Sequence, residues 1–130
     1  MIVVDASALL EVLLRKSGAK AAERALFELG HTLHVPHLLD LEIAQVVRRF
    51  AMSREIDGER ARTVLTDLSD LALRRYRHDF LLPRVWELRN NLSAYDAVYV
   101  ALAEMLGAPL LTHDGRLASV ANRYVQVDLV

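Results

Sequence analysis

Ile2-Val3-Val4-Asp5-Ala6-Ser7-Ala8-Leu9-Leu10 opens the chain with an apolar β-branched run, one acid, and then a helical pattern. Ile2 to Val4 is too short for a helix and is unbroken by polar alternation, which suits a strand buried on both faces of a parallel sheet. From Ala6 to Leu14 the spacing turns helical. A buried strand feeding a helix is half of a βαβ unit, and the same grammar recurs down the chain. Short apolar strands alternating with helices predict an α/β fold, with a mostly parallel central sheet flanked by helices on both faces.

Working outward, Ser17-Gly18 breaks the first helix, and Ala19 to Leu29 reads as a second one ending at Gly30. Leu33 to Val35 is a short strand closed by Pro36. Leu38 to Met52 carries helical periodicity, and Asp57-Gly58 opens a helix running to about Leu68. Leu71 to Tyr76 allows either a strand or a helix tail and is read as a strand. A helix is predicted from about Leu81 to Arg89. A longer one from Ser93 to Leu106 is ended by Gly107-Ala108-Pro109. Leu110 to Thr112 is a strand, Leu117 to Asn122 a short helix, and Val125 to Val127 the last strand.

At 130 residues, with 53% hydrophobic and 25% charged content, the composition fits one compact domain over residues 1–130. The formal net charge of -1 gives no overall basic signature, so nucleic-acid contact would have to come from clustered arginine. Only Lys16 and Lys20 are lysines among the 16 basic residues. The absence of cysteine excludes disulfides, a thiol nucleophile and thiolate metal sites. No targeting segment or apolar run of spanning length is visible, which predicts a cytoplasmic protein without membrane contact.

Asp5, Glu42, Asp96 and Asp114 stand where a globular domain avoids charge. Asp5 is the first residue past the first strand, where ligands bind in parallel sheets, although it also suits the N-cap of the following helix. Glu42 lies on the apolar stripe of Leu38, Leu39 and Val46. Ser93-Ala94-Tyr95-Asp96 matches a capping pattern, yet Asp96 also shares a stripe with Tyr99, Val100 and Ala103. Asp114-Gly115 could be a hairpin turn, but the following residues lack strand alternation, so Leu110 to Asp114 reads as a strand delivering an acid. Two carboxylates about 5 Å apart repel by roughly 3 kcal/mol at an effective dielectric of about 20. A divalent cation removes that penalty. All-oxygen ligation selects hard ions such as Mg²⁺, with Mn²⁺ a possible substitute, and such a cluster suits phosphodiester hydrolysis.

The opening block, together with Val35-Pro36-His37-Leu38-Leu39-Asp40-Leu41-Glu42, Ser93-Ala94-Tyr95-Asp96-Ala97-Val98-Tyr99-Val100-Ala101-Leu102-Ala103 and Leu110-Leu111-Thr112-His113-Asp114-Gly115-Arg116-Leu117, resembles PIN-domain proteins, and more narrowly VapC-type toxin ribonucleases. The resemblance spans nearly the whole chain. It implies a PIN-like α/β/α sandwich and a magnesium-dependent endoribonuclease toxin cutting structured RNA, tRNA or rRNA. It also implies neutralisation by a cognate antitoxin and a homodimer. By position, Asp5, Glu42, Asp96 and Asp114 correspond to the acidic metal-binding quartet, and Ser7 and Thr112 to its supporting hydroxyls. The further acid often found beyond the last aspartate is replaced here by Leu117 and Ala118, which implies one tight ion.

Arg48, Arg49, Arg74, Arg75 and Arg77 are candidate RNA-backbone contacts, with solvated helix faces as the plainer alternative. His113 alternates away from Thr112 and Asp114, and the other histidines lack zinc spacing. Neither Gly-x-x-x-x-Gly-Lys-[Ser/Thr] nor Gly-x-Gly-x-x-Gly occurs. The reading from another class is a non-catalytic PIN-like module that binds RNA or protein.

Overall fold

A computed structural model describes all 130 residues, Met1–Val130. Strands β1 (Ile2–Val4), β2 (Leu33–Pro36), β3 (Leu73–Tyr76), β4 (Leu110–Thr112) and β5 (Val127–Leu129) form one sheet in the order β3-β2-β1-β4-β5. Every neighbouring pair is parallel. The sheet expected to be mostly parallel is therefore wholly so. β1, β2 and β4 are buried throughout, which explains their apolar runs, whereas the outer strands β3 and β5 are half-open and carry Arg74, Arg75 and Asp128. Charge on an outer strand also discourages pairing with another sheet edge. The buried polar residue of β2, His34, is satisfied through Thr32 Oγ1 at 2.8 Å and the Tyr76 hydroxyl at 2.6 Å.

The helices are α1 (Ala6–Leu13), α2 (Ala19–Glu23), α3 (Leu38–Met52), α4 (Gly58–Asp70), α5 (Leu82–Glu87), α6 (Ala94–Leu106) and α7 (Gly115–Ala121). α1 packs on α3 and α4, while α6 lies across β1, β2 and β4 and is backed by α5. The helix expected to run unbroken to Leu29 instead widens into a π-helical turn, Arg24–Glu28, before Gly30 turns the chain at φ +71°. The last strand starts two residues later than its sequence pattern suggests. Tyr124 and Val125 donate their amides to the Ala121 carbonyl, so the turn closing α7 consumes Val125. No helix is long and apolar enough to cross a membrane.

The order of strands places the site. From β1 the chain steps outward to β2 and β3, then crosses back to β4 and β5 on the other side of β1. Crossovers diverge between β1 and β4, and such a switch point opens a crevice at the carboxyl ends of the strands. Asp5 and the segment Thr112 to Asp114 are the residues that emerge there.

One buried acid lies outside that crevice. Glu11 of α1 is 3% exposed, accepts the Gly18 amide at 2.9 Å, and lies 3.7 Å from Lys16 Nζ and 3.4 Å from His113 Nε2. It fastens the end of α1 to the segment after β4. Glu11→Ala strands the Gly18 amide, and thermal melts are expected to show a loss of about 1–3 kcal/mol. An unchanged melting temperature would show that this buried acid is not a structural fastener.

Candidate active site

Asp5 sits at the N-cap position of α1, yet its side chain caps nothing. Its Oδ2 instead accepts hydrogen bonds from Ser7 Oγ at 2.5 Å and Thr112 Oγ1 at 2.8 Å. Those hydroxyls lie 3.1 Å apart and are locked in turn by backbone amides, His113 N–H to Ser7 Oγ at 2.9 Å and Asp114 N–H to Thr112 Oγ1 at 3.0 Å. A closed ring of donors thus ties β1 to β4 across the switch point. Asp5 is only 7% exposed, so this ring fixes an otherwise costly buried carboxylate in one orientation.

Asp114 combines both roles considered for it. It ends the β4 segment and caps α7, Oδ1 accepting from the amides of Arg116 at 2.9 Å and Leu117 at 3.2 Å. Asp96 lies in the first turn of α6, whose N-cap hydroxyl, Ser93 Oγ, accepts from the Asp96 amide at 3.2 Å. The cap uses the backbone of Asp96 and leaves its carboxylate for the cleft. Glu42 is on α3, and its Oε1 accepts the Tyr99 hydroxyl at 2.6 Å.

All four acids line one cleft of about 750 Å³ with Ser7, Leu10, Leu38, Leu41, Arg49 and Tyr95 on its walls. Their charges act on one another. Burial, followed by the nearby charges of Asp5 and Asp96, pushes the Glu42 carboxyl up to about 7 against the opposing pull of the Tyr99 hydrogen bond. Burial, then Asp5 and Asp114, raises Asp96 in the same direction. Both shifts mark carboxylates crowded in a poorly solvated place. A smaller cleft of about 450 Å³ at the amino end of β2 and β3, lined by Leu26, Phe27, His31, Leu33 and Arg74, carries no acid.

The residues suit a hard cation. Asp5, Asp114 and Glu42 each have one oxygen held by a protein donor and a second with none, and both carboxylate oxygens of Asp96 are free. No three acids or imidazoles are gathered into a ready-made metal cage. The all-oxygen donor set is of the kind magnesium takes, with one or two carboxylates bound directly and several waters kept.

The candidate RNA-contacting arginines do not form one patch. Only Arg49 reaches the wall of the acidic cleft. Arg75 is held by a two-pronged ion pair to Asp40 at 2.7 and 3.0 Å, and Arg77 by another to Asp79 at 3.2 and 2.8 Å. Arg74 lines the cleft at the amino end of the strands, and Arg48 is an exposed residue of α3. Sequence reasoning missed Arg116, whose charge offsets part of the upward shift of Asp96 and which lies with Ser93 and Ser119 in a second cleft bordered by Asp96 and Asp114. It also gave no role to the Tyr99 hydroxyl, although Tyr99 lies on the same stripe as Asp96. His113 turns away, its Nδ1 meeting the Val130 carbonyl.

Fold and cleft together define an α/β domain that presents four acids at a parallel-sheet switch point. The sequence profile of the PIN domain family matches residues 2–123. The chain is 45% identical to VapC ribonuclease Mb0985 of Mycobacterium bovis over 133 aligned positions, covering 100% of this chain and 98% of that protein. Among solved structures, VapBC2 from Rickettsia felis, bound to a DNA fragment from its promoter, superposes with a TM-score of 0.70 at 14% identity over 99% of this chain and 98% of that one. VapC20 from Mycobacterium tuberculosis, described as a sarcin-ricin loop cleaving toxin, gives 0.69 at 16% identity over 92% and 94%. The chain belongs to the PIN-domain family. Within it, this is a ribonuclease of the VapC type.

Proposed function

We propose that residues 1–130 form a single nuclease domain acting as a magnesium-dependent endoribonuclease toxin, with Asp5, Glu42, Asp96 and Asp114 as its metal-holding and catalytic acids. The observation that carries this reading is the shared cleft: carboxylates from four separate elements face one crevice, each keeping at least one oxygen free of protein donors. Ser7 and Thr112 hold Asp5 in the orientation that ligation needs. A divalent cation there, Mg²⁺ or its substitute Mn²⁺, supplies positive charge that offsets the carboxylates and the charge developing on the attacked phosphate. Asp5 and Asp96 would hold the ion. Glu42 and Asp114 would complete the cage and hold the attacking water through Oε2 and Oδ2, the oxygens left free of protein donors.

Structured RNA is the substrate, with tRNA or rRNA the classes that the family resemblance implies. Arg49 on one wall and Arg116 on the other flank bring phosphates toward an otherwise repulsive pocket. Arg48 and Arg74 remain available for more distant backbone contacts. Arg75 and Arg77 would have to leave their aspartates to contribute. Exposed apolar residues border the cleft, Leu41 and Tyr95 on its wall and Leu82 in an adjoining hollow shared with Leu38 and Tyr95, and such surface suits protein partners. These partners are a cognate antitoxin laid over the cleft and a second copy of the chain, in the cytoplasm.

The test is an incubation of purified protein with total RNA in Mg²⁺, in Mn²⁺ and in chelator, followed by mapping of the new ends. Discrete cuts dependent on either metal are expected. RNA binding indifferent to metal, with no RNA cut, would replace this reading with a non-catalytic binding module.

A further inference from the structure

Tyr99 is the largest of the fully buried side chains, at 0% exposure, and its hydroxyl is the one polar group it brings into the core. A phenol taken out of water needs a partner. The partner found is not a backbone carbonyl of the surrounding helices but the carboxylate of Glu42, 57 residues away in sequence and on another helix. One buried hydroxyl of α6 thus reaches across to the acid of α3.

From this geometry we propose that Tyr99 is a positioning residue for the metal-holding cleft, fixing Glu42 so that Oε2 faces the ion site. The inference rests on the role given to Glu42 above. At 2.6 Å the bond has the length of an O–H donating to an ionised carboxylate. With Oε1 engaged, the carboxylate plane and the side-chain torsions are set before any ion arrives. Phenylalanine at this position fills the same space and removes only the hydroxyl. Glu42 then loses its tether without losing its charge, its backbone or its access to solvent.

Hydrogen-bond partners that orient metal ligands characteristically cost about 10–100-fold in metal affinity when removed. Tyr99→Phe is therefore expected to weaken Mn²⁺ binding to the RNA-free protein by about 10-fold, read by calorimetry or by the spin signal of free Mn²⁺. Glu42→Gln is expected to weaken it at least as much. In the double variant Glu42→Gln/Tyr99→Phe the two losses should not add, because the hydroxyl acts only through the carboxylate.

A space-filling role alone would leave Mn²⁺ affinity untouched in Tyr99→Phe, or would give losses that add in the double variant. Metal-free thermal melts of the same proteins separate loss of the tether from loss of the fold. If Glu42→Gln weakens Mn²⁺ binding and Tyr99→Phe does not, the positioning role is overturned while the site stands. If Glu42→Gln itself binds Mn²⁺ like the native protein, both fall.

Discussion

Asp5→Asn and Asp96→Asn are each expected to lower metal-dependent RNA cleavage by at least about 100-fold, the scale on which preorganised electrostatic groups act, while leaving the protein folded. The two substitutions remove the same charge from different surroundings. At position 5, the asparagine carbonyl can still accept from Ser7 and Thr112, so the ring of hydroxyls and amides joining β1 to β4 survives. What disappears is the negative charge and the free carboxylate oxygen facing the cleft. At position 96, the α6 cap is untouched because it uses the backbone amide and Ser93.

Stability in metal-free buffer separates this account from a purely structural one. Asp96 is crowded by burial and by the charges of Asp5 and Asp114, so Asp96→Asn should melt at the same temperature as the native protein or higher. Cleavage at the native rate by both variants would remove these acids from the chemistry. A large loss of metal-free stability would instead mark them as structural.

Much of this site was legible before any coordinates because the signals were local. β1 is an unbroken apolar run ending in an acid, β4 is a short leucine-led strand with an acid two residues past its end, and Glu42 and Asp96 interrupt apolar stripes on helices whose spacing is clear. What could not be read locally depends on contacts distant in sequence. Arg75 looks like part of a basic patch until Asp40, 35 residues earlier, closes on it. Tyr99 looks like core until its hydroxyl is seen reaching another helix. The late start of β5 has a similar origin, since Val125 has strand-forming character but the turn after α7 claims its amide. Residue preference could not reveal that competing hydrogen bond.

Metal-free protein is expected to become less stable as pH rises from about 5 to 8, and added Mg²⁺ or Mn²⁺ to stabilise it more at the upper end. The Glu42 carboxyl titrates at about 7 in the folded chain against an ordinary value of 4.5. Between those values the native state holds a proton that the unfolded state has released. Folding is therefore favoured by this group below the lower value, and that contribution is lost as pH rises through the upper one. Each unit of difference corresponds to about 1.4 kcal/mol, and solvent screening in an open cleft reduces the total to on the order of 1–3 kcal/mol. Asp96, shifted the same way, adds to the slope.

A bound cation reverses the preference by favouring ionised carboxylates, so the metal-induced rise in melting temperature should be larger at pH 8 than at about 5.5. Glu42→Gln should reduce the metal-free slope and the pH dependence of the metal effect together, because the same carboxylate contributes to both. Melting temperatures across this range, with chelator and with excess metal, decide the matter. A metal-free protein that gains stability toward pH 8, or a metal effect that does not change with pH, would mean that Glu42 is not the crowded carboxylate on which the site depends.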